Sequence, residues 1–89
     1  MTKQSYAETA IKEFKKLGRH VTNVETIGNQ KELCLRVFYR EKRNINMFDK
    51  VMKTASKFPK LAYSYSTGVG FKTKAGYTYS VTYFLVKRV

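Results

Sequence analysis

At 89 residues, with one proline and no low-complexity stretch, the chain is sized for a single domain, residues 1–89. Its hydrophobic content of 43%, including seven Tyr and six Phe, excludes a disordered basic tail. Eighteen Lys and Arg against six acids give a net charge of +12; a lone cysteine excludes an internal disulfide, and no apolar run approaches the length of a spanning helix.

The first helix is expected to start at Ser5, with Ser5 and Glu8 forming a capping box in which hydroxyl and carboxylate each satisfy a free backbone N–H. Ala7, Ala10, Ile11, Phe14 and Leu17 follow at helical spacing, and Gly18 supplies a stop. The segment "HVTNVETI" then leads through the turn "GNQK" to "ELCLRVFYR". In that second strand Leu33, Leu35, Val37 and Tyr39 alternate with Cys34, Arg36, Phe38 and Arg40, so one face is apolar and the other is basic and aromatic.

A second helix repeats the plan 41 residues on, with Asn46 and Asp49 at cap positions and Phe48, Val51, Met52, Ala55 and Phe58 at the apolar spacing, before Pro59 forbids continuation. The segment "LAYSYSTGVGF" then leads through "KTKAG" to "YTYSVTYFLVKRV", with Gly76 suited to the left-handed position of the loop. Tyr79, Val81, Tyr83 and Leu85 are expected on the apolar face of this last strand. Gly68 and Gly70 sit in a strand pattern with no phosphate-loop or dinucleotide fingerprint, which points to close packing or a bulge.

The order is therefore α-β-β-α-β-β, an α+β fold with a pseudo-repeat at about residues 5–43 and 46–89. Two amphipathic helices sharing one apolar sheet face imply a four-stranded antiparallel sheet with both helices on one side. Each helix start should share an edge with the tip of its hairpin. That predicts one basic edge holding Lys31, Lys42, Arg43, Lys50, Lys72 and Lys74 together with both helix N-termini. The opposite sheet face, carrying Phe38 and Phe84, is expected to be open or to form a homodimer interface.

The charge distribution narrows the function. Asp49 is the last acid, and residues 50–89 carry eight basic side chains. Self-repulsion in such a field is relieved by an anionic partner, with nucleic acid first, an acidic protein second and a membrane surface last. Lys50, Lys53, Lys57 and Lys60 recur every three or four residues, read here as a stripe without i,i+4 acid partners facing phosphates. Arg36, Phe38 and Arg40 on the non-core strand face resemble a stacking platform for unpaired bases, although the RNP motifs of RNA-recognition domains are absent. Zinc-finger, helix-turn-helix and OB-fold signatures are absent too. With one His and one Cys, no metal set, catalytic triad or cofactor site can be assembled.

The expected function is a small nucleic-acid-binding accessory or regulatory protein, RNA favoured over DNA, of low sequence specificity because lysines act as point charges. Size suggests a phage-encoded or mobile role. An alternative is an inhibitor of a nuclease or toxin whose basic face meets an acidic protein or shares its RNA. A third is a small ribonuclease using His20 as acid or base. The N-terminus "MTKQSYAETA" has no signal-peptide character, so the expected location is cytoplasmic, with no membrane partner.

Overall fold

The computed structural model describes the backbone of residues 2–29 and 31–89, and the side chains of all of these except 69–72. Two helices and four strands follow in the order α1 (Lys3–Lys15), β1 (Val21–Ile27), β2 (Cys34–Glu41), α2 (Met47–Ala55), β3 (Leu61–Lys72) and β4 (Thr78–Val86). The strands form one antiparallel sheet in the order β1-β2-β4-β3, with α1 against β1 and α2 against β2. This is the α+β architecture the hydrophobic pattern predicts. No helix among the described residues is long and apolar enough to cross a membrane.

Local chemistry sets the helix ends. α1 starts two residues before the predicted Ser5, because Thr2 offers the capping chemistry earlier. The Ser5 N–H donates to Thr2 Oγ1 at 3.0 Å and the Thr2 N–H to Ser5 Oγ at 3.1 Å, a reciprocal cap with Ser5 in its inner position. Glu8 takes no part and is exposed. Asn46 caps α2 as expected, its Oδ1 accepting from the Asp49 N–H at 3.0 Å. The two helices then leave by the same turn. Leu17 and Gly18 donate to Phe14 and Lys15, and Lys57 and Phe58 donate to Thr54 and Ala55.

The core gathers Ala7, Ala10 and Phe14 of α1, Met47, Val51 and Ala55 of α2, and Leu33, Leu35, Val37 and Tyr39 from β2 and its approach. Two expectations are corrected here. Phe48 was expected in the core but is 37% exposed, and Met47 is fully buried instead. Met47, Val51, Thr54 and Ala55 stand at i, i+4, i+7 and i+8, while Phe48 lies about 100° further round and meets Tyr63 edge-on.

The second correction concerns β4. Its sequence is apolar in both parities, so alternation alone does not choose a face. Pairing with β2 decides: Leu35 opposes Phe84 and Val37 opposes Thr82, so Thr82, Phe84 and Val86 turn towards the helices. Phe84 is therefore core, stacked on Phe14 with centroids 5.7 Å apart, and not part of the open face. Tyr79, Val81, Tyr83 and Leu85 line the opposite face. The buried Thr82 hydroxyl is satisfied at 2.8 Å by both Tyr39 Oη and Ser66 Oγ, as a buried polar group requires.

The single basic edge is also overturned. β2 and β4 are antiparallel neighbours, with Cys34 opposite Leu85 and Glu41 opposite Thr78, so the two hairpin tips lie at opposite ends of the sheet. Lys31 stays with the start of α1, where its carbonyl accepts from Lys3 Nζ at 3.0 Å. Lys42, Arg43 and Lys74 lie at the other end, with the start of α2.

Gly76, at φ +88°, closes the β3–β4 loop as predicted, its N–H donating to the Thr73 carbonyl at 2.9 Å. Gly68 has open space around its Cα, so close packing is not its reason; the β3–β4 ladder is irregular between Gly68 and Lys72. Gly70 falls outside the described side chains.

Candidate nucleic-acid interface

The face of the sheet away from the helices reads as cross-strand rows. Ile27, Cys34, Leu85 and Ala62 form an apolar row at one end. Next come Glu25, Arg36, Tyr83 and Tyr65, where Arg36 pairs with Glu25 and the two tyrosine rings stack 4.3 Å apart. Hydrogen bonding to Tyr83, with burial, raises the Tyr65 pKa above its ordinary value. Asn23, Phe38, Val81 and Thr67 make the third row. Arg40 and Tyr79 make the fourth, with His20 alongside, its carbonyl accepting from the Arg40 N–H at 2.8 Å.

This register changes the predicted stacking platform. Arg36 is held by Glu25, and its guanidinium carbon lies 5.4 Å from the centre of the Phe38 ring. Phe38 is half-buried and shares its ring with that cation. Arg40 points its charge elsewhere, over Tyr77 at 4.5 Å from the ring centre.

Tyr77, in the loop just before β4, is the hub beyond the last row. Lys42 Nζ lies 5.0 Å from its ring centre, and the His20 ring lies 5.7 Å away at 39°. Its place is set by the loop, in which Tyr77 N donates to Thr73 Oγ1 at 3.1 Å and the Tyr77 carbonyl accepts from Thr73 N at 2.9 Å. An aromatic face shared by cations holds them near one another without neutralising them.

His20 reports the resulting field. Its pKa is lowered by burial first and then by Arg40, Arg19, Lys50 and Lys42. These four cations come from three separate parts of the chain: the turn after α1, the end of β2 with its following loop, and α2. The His20 Nδ1 has no hydrogen-bond partner among the described residues, and the same holds for Arg40 Nε. Beside this cluster an open depression of about 450 Å³ is lined by Glu41, Lys42, Arg43, Gly76 and Thr78. Such concentrated positive potential attracts phosphate groups and speeds their encounter.

The α2 lysines divide. Lys53 has an i,i+4 acid partner after all, with its Nζ 3.2 Å from Asp49 Oδ2. Asp49 lies in the first turn, its N–H donating to the capping Asn46, and its carboxylate reaches one turn on at an i,i+4 spacing that the sequence itself displays. Lys57 lies close enough to the Glu13–Lys16 pair to help lower the Glu13 pKa, after Lys16 itself. Lys60 is exposed beyond the helix, its N–H donating to Tyr6 Oη at 3.0 Å. Lys50, exposed in the first turn of α2, adds to the positive field that lowers the His20 pKa, after burial, Arg40 and Arg19.

Of the residues singled out in the sequence, the structure thus brings together Arg40, Lys42, Arg43 and Lys50, with Lys74 exposed in the nearby loop. It leaves Lys31 at the far end of the sheet, ties Arg36 to Glu25 beside Phe38, pairs Lys53 with Asp49, and leaves Lys57 near Glu13 and Lys60 beyond the helix. Lys72 enters β3 by its backbone, opposite Thr78, and its side chain lies outside the described residues. Arg19 and Tyr77 were missed. The available signal was a tyrosine just after the hairpin tip, facing a strand with cations two apart, Arg40 and Lys42. Among the described residues no three His, Cys, Asp or Glu side chains are grouped to hold a metal. No protein-family model, curated protein or solved structure matches this chain.

Proposed function

We propose that this protein is a small nucleic-acid-binding module, RNA favoured over DNA, that grips phosphates through Arg19, Arg40, Lys42, Lys50 and the neighbouring Arg43 and Lys74. The observation that carries the reading is the gathering of Arg40 and Lys42 on the Tyr77 ring, with the His20 ring beside it and Arg19 next in the chain. A solvated surface spreads like charges apart, whereas a phosphate track needs them together. The contacts are made mostly by point charges, so discrimination between base sequences is low. The open face with Phe38, Tyr65 and Tyr83 beside the cluster suits unpaired bases, which supports single-stranded RNA as substrate.

Binding without catalysis is the reading for His20. A catalytic base is commonly oriented by a third group, and the His20 Nδ1 has no such partner among the described residues.

The test is a salt titration on one single-stranded RNA, comparing wild type with Lys42→Glu/Lys50→Glu, two exposed positions. Each lost phosphate contact should flatten the slope of log K against log salt by about 0.7, hence about 1.4 for the pair. Lys53→Glu/Lys57→Glu should have a smaller effect, because Lys53 is already engaged by Asp49 and Lys57 lies near Glu13. Equal slopes for wild type and the Lys42/Lys50 variant would refute the assigned site. Failure of the wild type to bind RNA or DNA at low salt would refute the function.

A further inference from the structure

β3 differs from the rest of the surface. It is an edge strand of 12 residues, against 7 for β1 at the other edge, and its outer backbone groups have no strand beside them. No charged residue occurs between Lys60 and Lys72, in a chain of net charge +12. Residues 63–68 are all exposed. Edge strands of soluble proteins are commonly guarded by charge, proline, brevity or bulges; β3 has irregularities at Tyr63/Tyr65 and Gly68/Lys72, but the window between them carries neither charge nor proline.

The exposed apolar groups point to the same place. Among the described residues five large hydrophobic side chains are exposed, namely Phe48, Tyr63, Tyr65, Leu85 and Val89. Tyr63 and Tyr65 belong to β3, Phe48 packs edge-on against Tyr63, and Leu85 lies opposite Ala62. Both helices lie over the β1 and β2 half of the sheet, so this apolar margin flanks β3 on both sheet faces.

We infer that the β3 edge pairs with the β3 edge of a second copy of this chain, joining two four-stranded sheets into one of eight strands. The occupant must be a strand, because unpaired edge N–H and C=O groups are satisfied by another strand. It must also be uncharged and apolar over the pairing window. An acidic peptide would be drawn to the Arg40–Lys42 cluster, not to the one stretch without charge. A second β3 meets both conditions, and an antiparallel two-fold pairing makes the contact self-complementary. It is also where two highly cationic copies approach with the least repulsion. The irregularities at Tyr63/Tyr65 and at Gly68/Lys72 confine regular pairing to the window Tyr65–Gly68. The inference does not depend on the nucleic-acid reading.

The sign of the salt effect separates the two associations. Salt screens the repulsion between like-charged copies and should strengthen the dimer, whereas it weakens phosphate contacts. The experiment is sedimentation equilibrium on nuclease-treated protein, from micromolar to high-micromolar concentration, at low and high salt. A monomer–dimer equilibrium that shifts towards dimer at high salt is expected. Ser64→Lys/Thr67→Lys places like charges across the edge and should raise the dissociation constant at least about tenfold. Mixing it with Ser64→Glu/Thr67→Glu should restore a heterodimer. Concentration-dependent protection of the β3 amides from hydrogen exchange in the wild type gives a readout that does not depend on either variant folding. A monomer at every concentration and salt would overturn the proposal. So would a dimer insensitive to the lysines with unchanged β3 exchange, or β3 protection that appears only when RNA or another protein is added.

Discussion

The contrast between Phe14 and Phe48 tests the packing directly, because the two residues are alike in the hydrophobic pattern and unlike in the fold. Phe14 is fully buried and stacks on Phe84 at 24° between ring planes. Removing its ring leaves a cavity between α1 and the sheet that neighbours can only partly fill, so Phe14→Ala should cost about 3–5 kcal/mol. A domain of this size has roughly 5–13 kcal/mol in total. At about 4–8 °C per kcal/mol, the melting temperature should fall by some 12 °C or more. Phe48 is 37% exposed and touches Tyr63 only edge-on. Phe48→Ala should therefore cost about 1 kcal/mol, while Met47→Ala, at a fully buried position, should cost about 2–5 kcal/mol. Urea and thermal unfolding followed by circular dichroism measure all three. If Phe48→Ala proves as costly as Phe14→Ala, or Met47→Ala proves neutral, the placement of α2 on the sheet is wrong. Because Phe48 also flanks the β3 edge, the comparison belongs at low protein concentration, where the monomer dominates.

Gly28 has φ +94° and its added Cβ would sit 2.0 Å from the Glu32 carbonyl oxygen, so Gly28→Ala should destabilise by more than the ~1–2 kcal/mol of the left-handed conformation alone, measured by urea unfolding. Tyr39→Phe should cost about 1 kcal/mol in the same assay, since Thr82 keeps its bond to Ser66 but loses the one to Tyr39. The folded-state pKa of His20 lies below its ordinary 6.5, so the unfolded chain takes up that proton first. Its contribution to stability is complete above 6.5 and is lost as pH falls through the lower folded value, and His20→Gln should flatten that part of the stability–pH curve. Under the proposed function, phosphates that neutralise Arg40, Arg19, Lys50 and Lys42 should raise the His20 pKa, visible in its imidazole NMR titration with and without RNA.

Much of the fold was written in local chemistry. The spacing of Ala7, Ala10 and Phe14, the alternation of Leu33, Leu35, Val37 and Tyr39, the cap at Asn46 and the turn at Gly76 each act within a few residues, so they can be read along the chain. What needed the tertiary structure was whatever two distant segments decide jointly. β4 is apolar in both parities, and only its register with β2 turned Phe84 inward and Tyr83 outward. Met47 and Phe48 are adjacent and both apolar, and the direction from which α2 approaches the sheet chose between them. The candidate site shows the same division. The sequence by itself determined that the chain carries a large excess of positive charge, with no acid after Asp49. It could not show that Arg36 is spent on Glu25 of the neighbouring strand, or that Arg40 and Lys42 meet on the Tyr77 ring beside His20. Charge is a property of each residue, but the field at a point depends on distances, and distances between remote residues are settled only when the sheet closes.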